Sequence, residues 1–558
     1  MLKTFLAAAL AAAALVAPSP ARAVAPQDRY IVTMNDGARS VAAGVLLRTF
    51  GSFPGFVSSM TAAEARRLAA DPRVRSVEKD RIVSLAGVQK SPAVVQKNQA
   101  GVRTNLAAVQ KNPVWGLDRI DQRPVKLSTS YRPSADGDTV HAYVIDTGIR
   151  IGHQQFGGRA SYGYDFVDGD TNAADCNGHG THVAGTIGGS TYGVAKKVKL
   201  VAVRVLNCKG GGYLSDVIDG VDWVTEHAIR PAVANMSLGG SDKSPSLDYA
   251  VADSIASGVT YVVAAGNENV NASWSSPADL PQAVTVAASD RKGKRASFSN
   301  YGRGVDLFAP GVGIKSAVAK SNTATATYSG TSMATPHVAG AAALILDAYP
   351  SWSPAKVQAK LIADSTKGKV TDRKGTPNRL LYVPAPPKPA VIATGQTAAA
   401  SAGVAYTARL ALKSSRRGSW KLAAGSLPPG LSLSAAGVLS GTPTRTGRFT
   451  VTVRFTDYVP QAVTRKIVIP VLVSAPVIST AALPATVLGE DYRQALTVAG
   501  GRAGTWAVES GALPDGLALD ASGTIGGITT TAGDFTFTVR FTDSAGQTAT
   551  RSYTITVS

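Results

Sequence analysis

Three kinds of hydrophobic pattern divide this chain. Ala142-Tyr143-Val144-Ile145 is an unbroken apolar run that ends in Asp146 and is interrupted by Thr147-Gly148. A short continuous run closed by a turn signal predicts a buried strand of a parallel sheet, with the carboxylate at its C-terminal edge. Ala339 to Leu346 is also apolar and predicts a helix opened by Ser332, while Thr181-His182-Val183-Ala184-Gly185-Thr186-Ile187 predicts a second helix rich in small residues. Strict alternation is the third pattern: Arg29-Tyr30-Ile31-Val32-Thr33-Met34 and Phe449-Thr450-Val451-Thr452-Val453-Arg454-Phe455 predict half-buried strands.

These patterns fall into segments. Residues 1–23 carry Lys3, an apolar run from Phe5 to Val16 and Ala21-Arg22-Ala23, the features of a cleavable secretory signal. No later stretch reaches the roughly 18 apolar residues of a membrane span, so an exported, extracellular protein is expected. Residues 24–90 predict a small α+β unit, with a capping box from Thr61 to Glu64 ahead of Ala65-Arg66-Arg67-Leu68 and a strand in Val74 to Val83. Residues 91–113 continue a Val-Gln-Lys theme (Val88-Gln89-Lys90, Val95-Gln96-Lys97, Val109-Gln110-Lys111) and predict an exposed processing linker. Residues 114–383 hold the α/β pattern, and Pro384-Ala385-Pro386-Pro387-Lys388-Pro389 is a stiff extended spacer. Beyond it the chain repeats itself, Trp420 with Trp506, Leu427-Pro428 with Leu513-Pro514, and Arg454-Phe455-Thr456-Asp457 with Arg540-Phe541-Thr542-Asp543. Residues 390–474 and 475–558 therefore predict two β-sandwiches.

The chemistry sits in the α/β part. Val144-Ile145-Asp146-Thr147-Gly148, Asn177-Gly178-His179-Gly180-Thr181-His182-Val183-Ala184-Gly185 and Ser329-Gly330-Thr331-Ser332-Met333-Ala334-Thr335-Pro336-His337 supply an acid, a base and a nucleophile in that order. A serine hydroxyl is a weak nucleophile unless an imidazole takes its proton and a carboxylate fixes that imidazole's tautomer. Ser332 at a helix N-terminus also meets a partial positive charge that favours developing negative charge.

With these motifs, and with Trp115-Gly116-Leu117-Asp118-Arg119-Ile120-Asp121, Asp222-Trp223-Val224-Thr225 and Asn235-Met236-Ser237-Leu238-Gly239-Gly240, residues 114–383 resemble the subtilisin-like serine proteases, most of all the proteinase K branch and its aqualysin-like enzymes. The resemblance implies an α/β fold, a parallel sheet with helices on both faces, preceded by an inhibitor-type propeptide and followed by two all-β immunoglobulin-like repeats. It implies a secreted, autoprocessed endopeptidase with broad, apolar-leaning specificity. The catalytic residues it implies are Asp146, His179 and Ser332, with Asn267 of Ala264-Ala265-Gly266-Asn267 as oxyanion donor. Gly211, Gly212 and Tyr213 on one edge and Ser237, Leu238 and Gly239 on the other would pair with an extended substrate, with Ala265 and Gly266 beside them. His182 and His337 are read as structural.

Two cysteines, Cys176 and Cys208, stand in an exported chain, which suggests one disulfide. The resemblance implies the same pairing, and the positions of the family's second bridge are Ser273 and Gly304 here. It also implies structural Ca2+, held by Asp306 with the carbonyls of Pro281 and Ala283, and at a second site by Asp118, Asp121 and Gln122, where Ser128 and Ser130 replace more charged ligands. No organic cofactor is implied.

The net charge of +20 is uneven: residues 384–474 carry +10 and residues 475–558 carry −3. Aromatic residues do not interleave with the basic ones, so nucleic acid is not an expected partner. Protein substrates, the chain's own propeptide and an insoluble or cell-surface target for the repeats are, and a monomer is expected. Two other readings compete. An exported binding protein on an inactive protease domain conflicts with every catalytic position being filled, and an esterase would want Gly-x-Ser-x-Gly where Gly-Thr-Ser-Met-Ala stands.

Overall fold

The computed structural model describes residues 27–558 apart from 39–40, 42–43, 52–53, 86–87, 91–93, 96–108, 134, 241, 386–387, 458–460 and 545. The expected signal segment 1–23 and most of the linker 91–113 lie outside the described residues, as does part of the proline spacer. The chain forms two compact units, Met1–Pro387 and Lys388–Ser558. No described helix is long and apolar enough to cross a membrane.

The first unit is built on a nine-stranded sheet. In spatial order its strands are Ala160–Asp165, Lys199–Arg204, His141–Asp146, Ala232–Met236, Thr260–Ala264, Val284–Ser289, Leu307–Pro310, Arg379–Leu380 and Thr366–Lys367. The first seven are parallel to their neighbours, and only the last pair is antiparallel. The central strands are buried along their whole length, apart from His141 at the start of its strand, which is why they read as continuous apolar runs. One core packs Val144, Val233, Val262 and Val286 against Thr331–Ala348 and His179–Gly188. A second, on the other face, packs Tyr143, Ile145, Val203 and Val263 against Leu214–His227 and Pro245–Ala256. The expected α/β architecture with helices on both faces is thus present. His141–Asp146, earliest of the nine in the chain, lies between the third and the fourth, so Asp146 stands at the switch point where open parallel sheets bind ligands.

The N-terminal α+β part is a four-stranded antiparallel sheet of Val45–Thr49, Gly55–Met60, Asp28–Met34 and Val74–Lys79, with the helix Ala62–Ala69. Thr61 caps that helix through the capping box read from the sequence, its side chain accepting from Glu64 N while Glu64 accepts from Thr61 N. The strand expected in Val74 to Val83 is two strands, Val74–Lys79 and Ile82–Ser84, because Asp80-Arg81 turns the chain onto the larger domain. Asp80 there accepts from Ser215 N at 2.9 Å and Ser215 Oγ at 2.8 Å, and Glu78 accepts from Ser246 N and Ser244 Oγ, both at 3.0 Å. Two carboxylates thus satisfy the N-terminal amides of the helices Leu214–His227 and Pro245–Ala256. Within residues 88–113, Gln89–Lys90 and Val94–Val95 both pair with Ala324–Ser329, and Gln110–Lys111 pairs with Ser130–Tyr131.

The second unit contains the two repeats, each a pair of sheets on its own core, antiparallel except where Ala400–Ser401 adds in parallel to Ala462–Leu472. Trp420 packs on Phe455 at 5.1 Å and Trp506 on Phe541 at 5.0 Å, and Arg416–Asp457 and Arg502–Asp543 are equivalent ion pairs. The sequence repeat is therefore a structural repeat.

Candidate active site

Asp146 ends its strand and is fully buried. Its carboxylate accepts Thr147 N at 2.7 Å and faces His179 Nδ1, at 2.8 Å to Oδ1 and 3.0 Å to Oδ2. His179 is the first residue of its helix, and the next position has to be glycine: a Cβ on Gly180 would lie 2.1 Å from the Gly148 carbonyl oxygen and 3.2 Å from the Asp146 carboxylate. Both motifs therefore owe their small residues to the close approach of helix and strand end.

A residue absent from the sequence expectations holds this junction together. Asp175 accepts from Thr147 Oγ1 and Asn177 N at 2.9 Å, Gly178 N at 2.8 Å, Thr181 N at 2.9 Å and Thr181 Oγ1 at 2.5 Å. Burial raises its pKa while these donors lower it. One carboxylate so ties the turn after Asp146 to the first turn of the His179 helix. The available signal was an Asp a few residues ahead of a predicted helix, the composition of an N-terminal cap.

Ser332 is the second residue of Thr331–Ala348 and is nearly buried. Its hydroxyl donates to the Ser237 carbonyl at 3.0 Å, and Ser237 Oγ donates to the Ser332 carbonyl at 2.9 Å. His179 Nε2 is buried with no hydrogen-bond partner among the described residues. Asn267 Oδ1 accepts from Thr331 N at 2.8 Å and Thr331 Oγ1 at 3.0 Å, which leaves the amide NH2 as the side turned away from Thr331. Ser237, Leu238, Gly239, Ala265, Gly266, Asn267 and Ser332 line one cavity of about 200 Å³. Ser275, Ser276 and Ala278 also line it with small uncharged side chains, together with Glu268 and, from the N-terminal segment, Arg81, Ile82, Val83, Ser84 and Leu85.

Gly211, Gly212 and Tyr213 form a strand at the cleft edge, and that edge already carries an extended segment. Ile82–Ser84 pairs antiparallel with it, Ser84 also bridges to Gly239, and Leu85 N donates to the Gly210 carbonyl at 3.0 Å. A Cβ on Gly212 would fall 2.1 Å from the Val205 carbonyl oxygen, so this edge strand needs glycine for its own packing. Past the cleft, Gln89–Lys90 pairs with Tyr328–Ser329, just before Ser332.

His182 donates through Nε2 to the Ile314 carbonyl and stacks on Tyr328, while His337 donates through Nδ1 to the Met333 carbonyl. Burial drives their pKa values down to about 3 and about 4, so both are neutral structural rings. Cys176 and Cys208 are disulfide-bonded, beside the Arg204 guanidinium. Ser273 and Gly304 are neighbours, a Cβ on Gly304 lying 2.9 Å from Ser273 Oγ.

The two sets of oxygens expected to hold calcium differ. Asp118 is satisfied by the chain itself, accepting from Ser128 N, Ser128 Oγ and Thr129 N at 2.8 to 2.9 Å. Asp121 accepts Arg132 N through Oδ2, but its Oδ1 is buried without a partner among the described residues, and burial pushes its pKa up to about 7. That orphaned oxygen suits a cation. Gln122 turns its amide to the Lys126 carbonyl. Pro281, Ala283 and Asp306 do converge, but on the side-chain amide of Gln358. Among the described residues, Asp136, Asp138 and Asp347 form a further acidic group, already engaged by Lys197, Gly137 N and Thr139 Oγ1.

Comparison with known proteins adds the family. The subtilase family profile matches residues 137–381, the peptidase inhibitor I9 profile residues 29–86, and the Ig domain profile residues 388–471 and 475–558. The alkaline serine exoprotease A of Vibrio alginolyticus is 51% identical over 331 residues, 59% of this chain and 59% of that protein. The chain thus spans well under two thirds of that relative. The extracellular serine proteinase of a Thermus species is 52% identical over 322 residues, 58% of this chain and 73% of that protein. A cuticle-degrading protease of Metarhizium anisopliae is 39% identical over 407 residues, covering 68% of this chain and 98% of that one. The chain belongs to the subtilase family of serine proteases, with an I9 inhibitor-type segment ahead of the protease domain and two Ig-like repeats behind it.

Proposed function

We propose that this chain is an exported serine endopeptidase, made as a self-inhibited precursor, that hydrolyses peptide bonds with Ser332 as nucleophile. The observation that carries the reading is the buried Asp146–His179 contact at 2.8 Å, with Ser332 at the N-terminus of a helix that packs against the His179 helix. Ser332 Oγ attacks the scissile carbonyl carbon as its proton passes to His179 Nε2. The imidazolium gives that proton to the leaving nitrogen, and water then cleaves the acyl-enzyme by the same route. Asp146 holds the Nδ1–H tautomer and stabilises the imidazolium. The Asn267 NH2 and Ser332 N–H are the donors for the oxyanion. Before attack, the Ser332 hydroxyl rotates from the Ser237 carbonyl towards His179.

Ser275, Ser276 and Ala278 line the cavity with small uncharged side chains, while of its charged neighbours Arg81 belongs to the N-terminal segment and the Glu268 carboxylate is held by Asn267 N and Asn300 Nδ2, so the cavity suits an apolar side chain before the scissile bond. Pairing of Ile82–Ser84 on one side of Ser332 and Gln89–Lys90 on the other makes the N-terminal segment both inhibitor and first substrate. Its cleavage falls beyond Leu85, in the linker that carries the Val-Gln-Lys repeats. A calcium ion held by Asp121, with Asp118 beside it, would supply the positive charge that lets Asp121 ionise. Its role is structural. The repeats of residues 390–558 serve to hold the enzyme on an insoluble target.

Hydrolysis of denatured casein and of a peptide library by purified enzyme tests the reading. Cleavage after apolar residues, lost in Ser332→Ala, is expected; a strict preference for Arg or Lys would overturn the specificity.

A further inference from the structure

Gln358 lies on the helix Pro354–Asp364. Its Nε2 is 3.1 Å from the Pro281 carbonyl oxygen, 3.1 Å from the Ala283 carbonyl oxygen and 3.3 Å from Asp306 Oδ2. These are the three oxygens that the family resemblance assigns to a calcium ion. The direction of the amide is fixed by chemistry. Flipped, its oxygen would face two carbonyls and a carboxylate with no proton between them.

An ion and this amide exclude each other. Calcium binds oxygen at about 2.3–2.6 Å and takes six to eight ligands, so it would occupy the point on which the three oxygens converge. Nε2 stands at that point, with two protons for three acceptors. Thr285 N donates to the same Asp306 oxygen at 3.0 Å, and Asp306 N donates back to the Thr285 carbonyl at 2.9 Å. The mechanical task is also accounted for. Pro281 and Ala283 lead into the strand Val284–Ser289 and Asp306 into its neighbour Leu307–Pro310, and Gln358 ties both strand entries to a helix.

We propose that the Gln358 carboxamide replaces the calcium ion at Asp306, so that this part of the fold is stable without metal and residue 358 decides whether it depends on one. The inference does not rest on the catalytic reading.

The test is thermal unfolding of the full-length chain in calcium and in chelator, with Ser332→Ala throughout to prevent self-digestion. With Gln358 present, Asp306→Asn is expected to leave the calcium-dependent shift in midpoint unchanged. Gln358→Ala is expected to lower the midpoint in chelator and to gain a calcium-dependent rise of a few degrees, which Asp306→Asn then erases. Gln358→Ser serves in its place if the alanine variant does not accumulate. Loss of the calcium response on Asp306→Asn alone would overturn the proposal, and so would the absence of any new response once Gln358 is removed.

Discussion

The Ser332 hydroxyl donates to the Ser237 carbonyl, at 3.0 Å, and leaves His179 Nε2 without a partner among the described residues. The hydroxyl and the imidazole are thus not joined to each other, while Ile82–Ser84 fills the strand position between Gly211–Tyr213 and Gly239. The geometry is that of a restrained precursor.

Asp80 joins the N-terminal segment to the larger domain, accepting from Ser215 N and Oγ and held by Arg29 at 2.9 Å. Asp80→Ala removes a helix cap worth about 0.5–2 kcal/mol. The inhibition constant of the cleaved N-terminal segment, added back to mature enzyme, is expected to rise about 2- to 30-fold. An unchanged constant would detach the cap from inhibition.

Asn267 is anchored through its oxygen on Thr331. Loss of one oxyanion donor costs about 100- to 1,000-fold in turnover, so Asn267→Ala should lower kcat by that factor with little change in KM. A variant with wild-type kcat would remove Asn267 from the oxyanion site.

Asp121 predicts a pH dependence whose sign follows from burial. Its pKa is pushed from 3.8 up to about 7 in the folded chain, so between those values the folded state keeps a proton that the unfolded state has lost. In chelator, this residue's contribution makes stability fall as pH rises through that window and level off above about 7. Asp121→Asn should flatten the fall and be the more stable protein at pH 8 in chelator, while losing calcium-dependent stabilisation. Thermal midpoints across pH, with and without calcium, would show an unchanged slope if Asp121 were not responsible.

Residues 390–474 and 475–558 have separate cores and opposite net charge. Deleting residues 385–558 should leave peptide hydrolysis intact and reduce retention on insoluble protein. Equal retention of full-length and truncated enzyme would count against a targeting role.

What could be read from the sequence was what neighbours in the chain determine. The strand ending in Asp146, the glycine-flanked His179 and the small residues after Ser332 each carry their own local constraint. The 86-residue repeat, Trp420 to Trp506, is visible because both copies bury the same pattern. Contacts between distant segments were not legible. Asp80 meets Ser215 across 135 positions, and Gln358 meets Asp306 across 52. An isolated Asp or Gln on a polar face has no periodicity, and only the packed fold gives it a partner. Asp175 is intermediate: its capping role is local, but its link to Thr147 spans 28 positions.

Activation of Ser332 as a nucleophile by His179 and Asp146 is tested by covalent titration of the mature enzyme with a fluorophosphonate, following casein hydrolysis and peptide mass together. One adduct per molecule, on Ser332, with activity falling in step and no adduct in Ser332→Ala or His179→Ala, is the predicted result. Casein hydrolysis by pure Ser332→Ala protein, or full activity after labelling of Ser332, would contradict it.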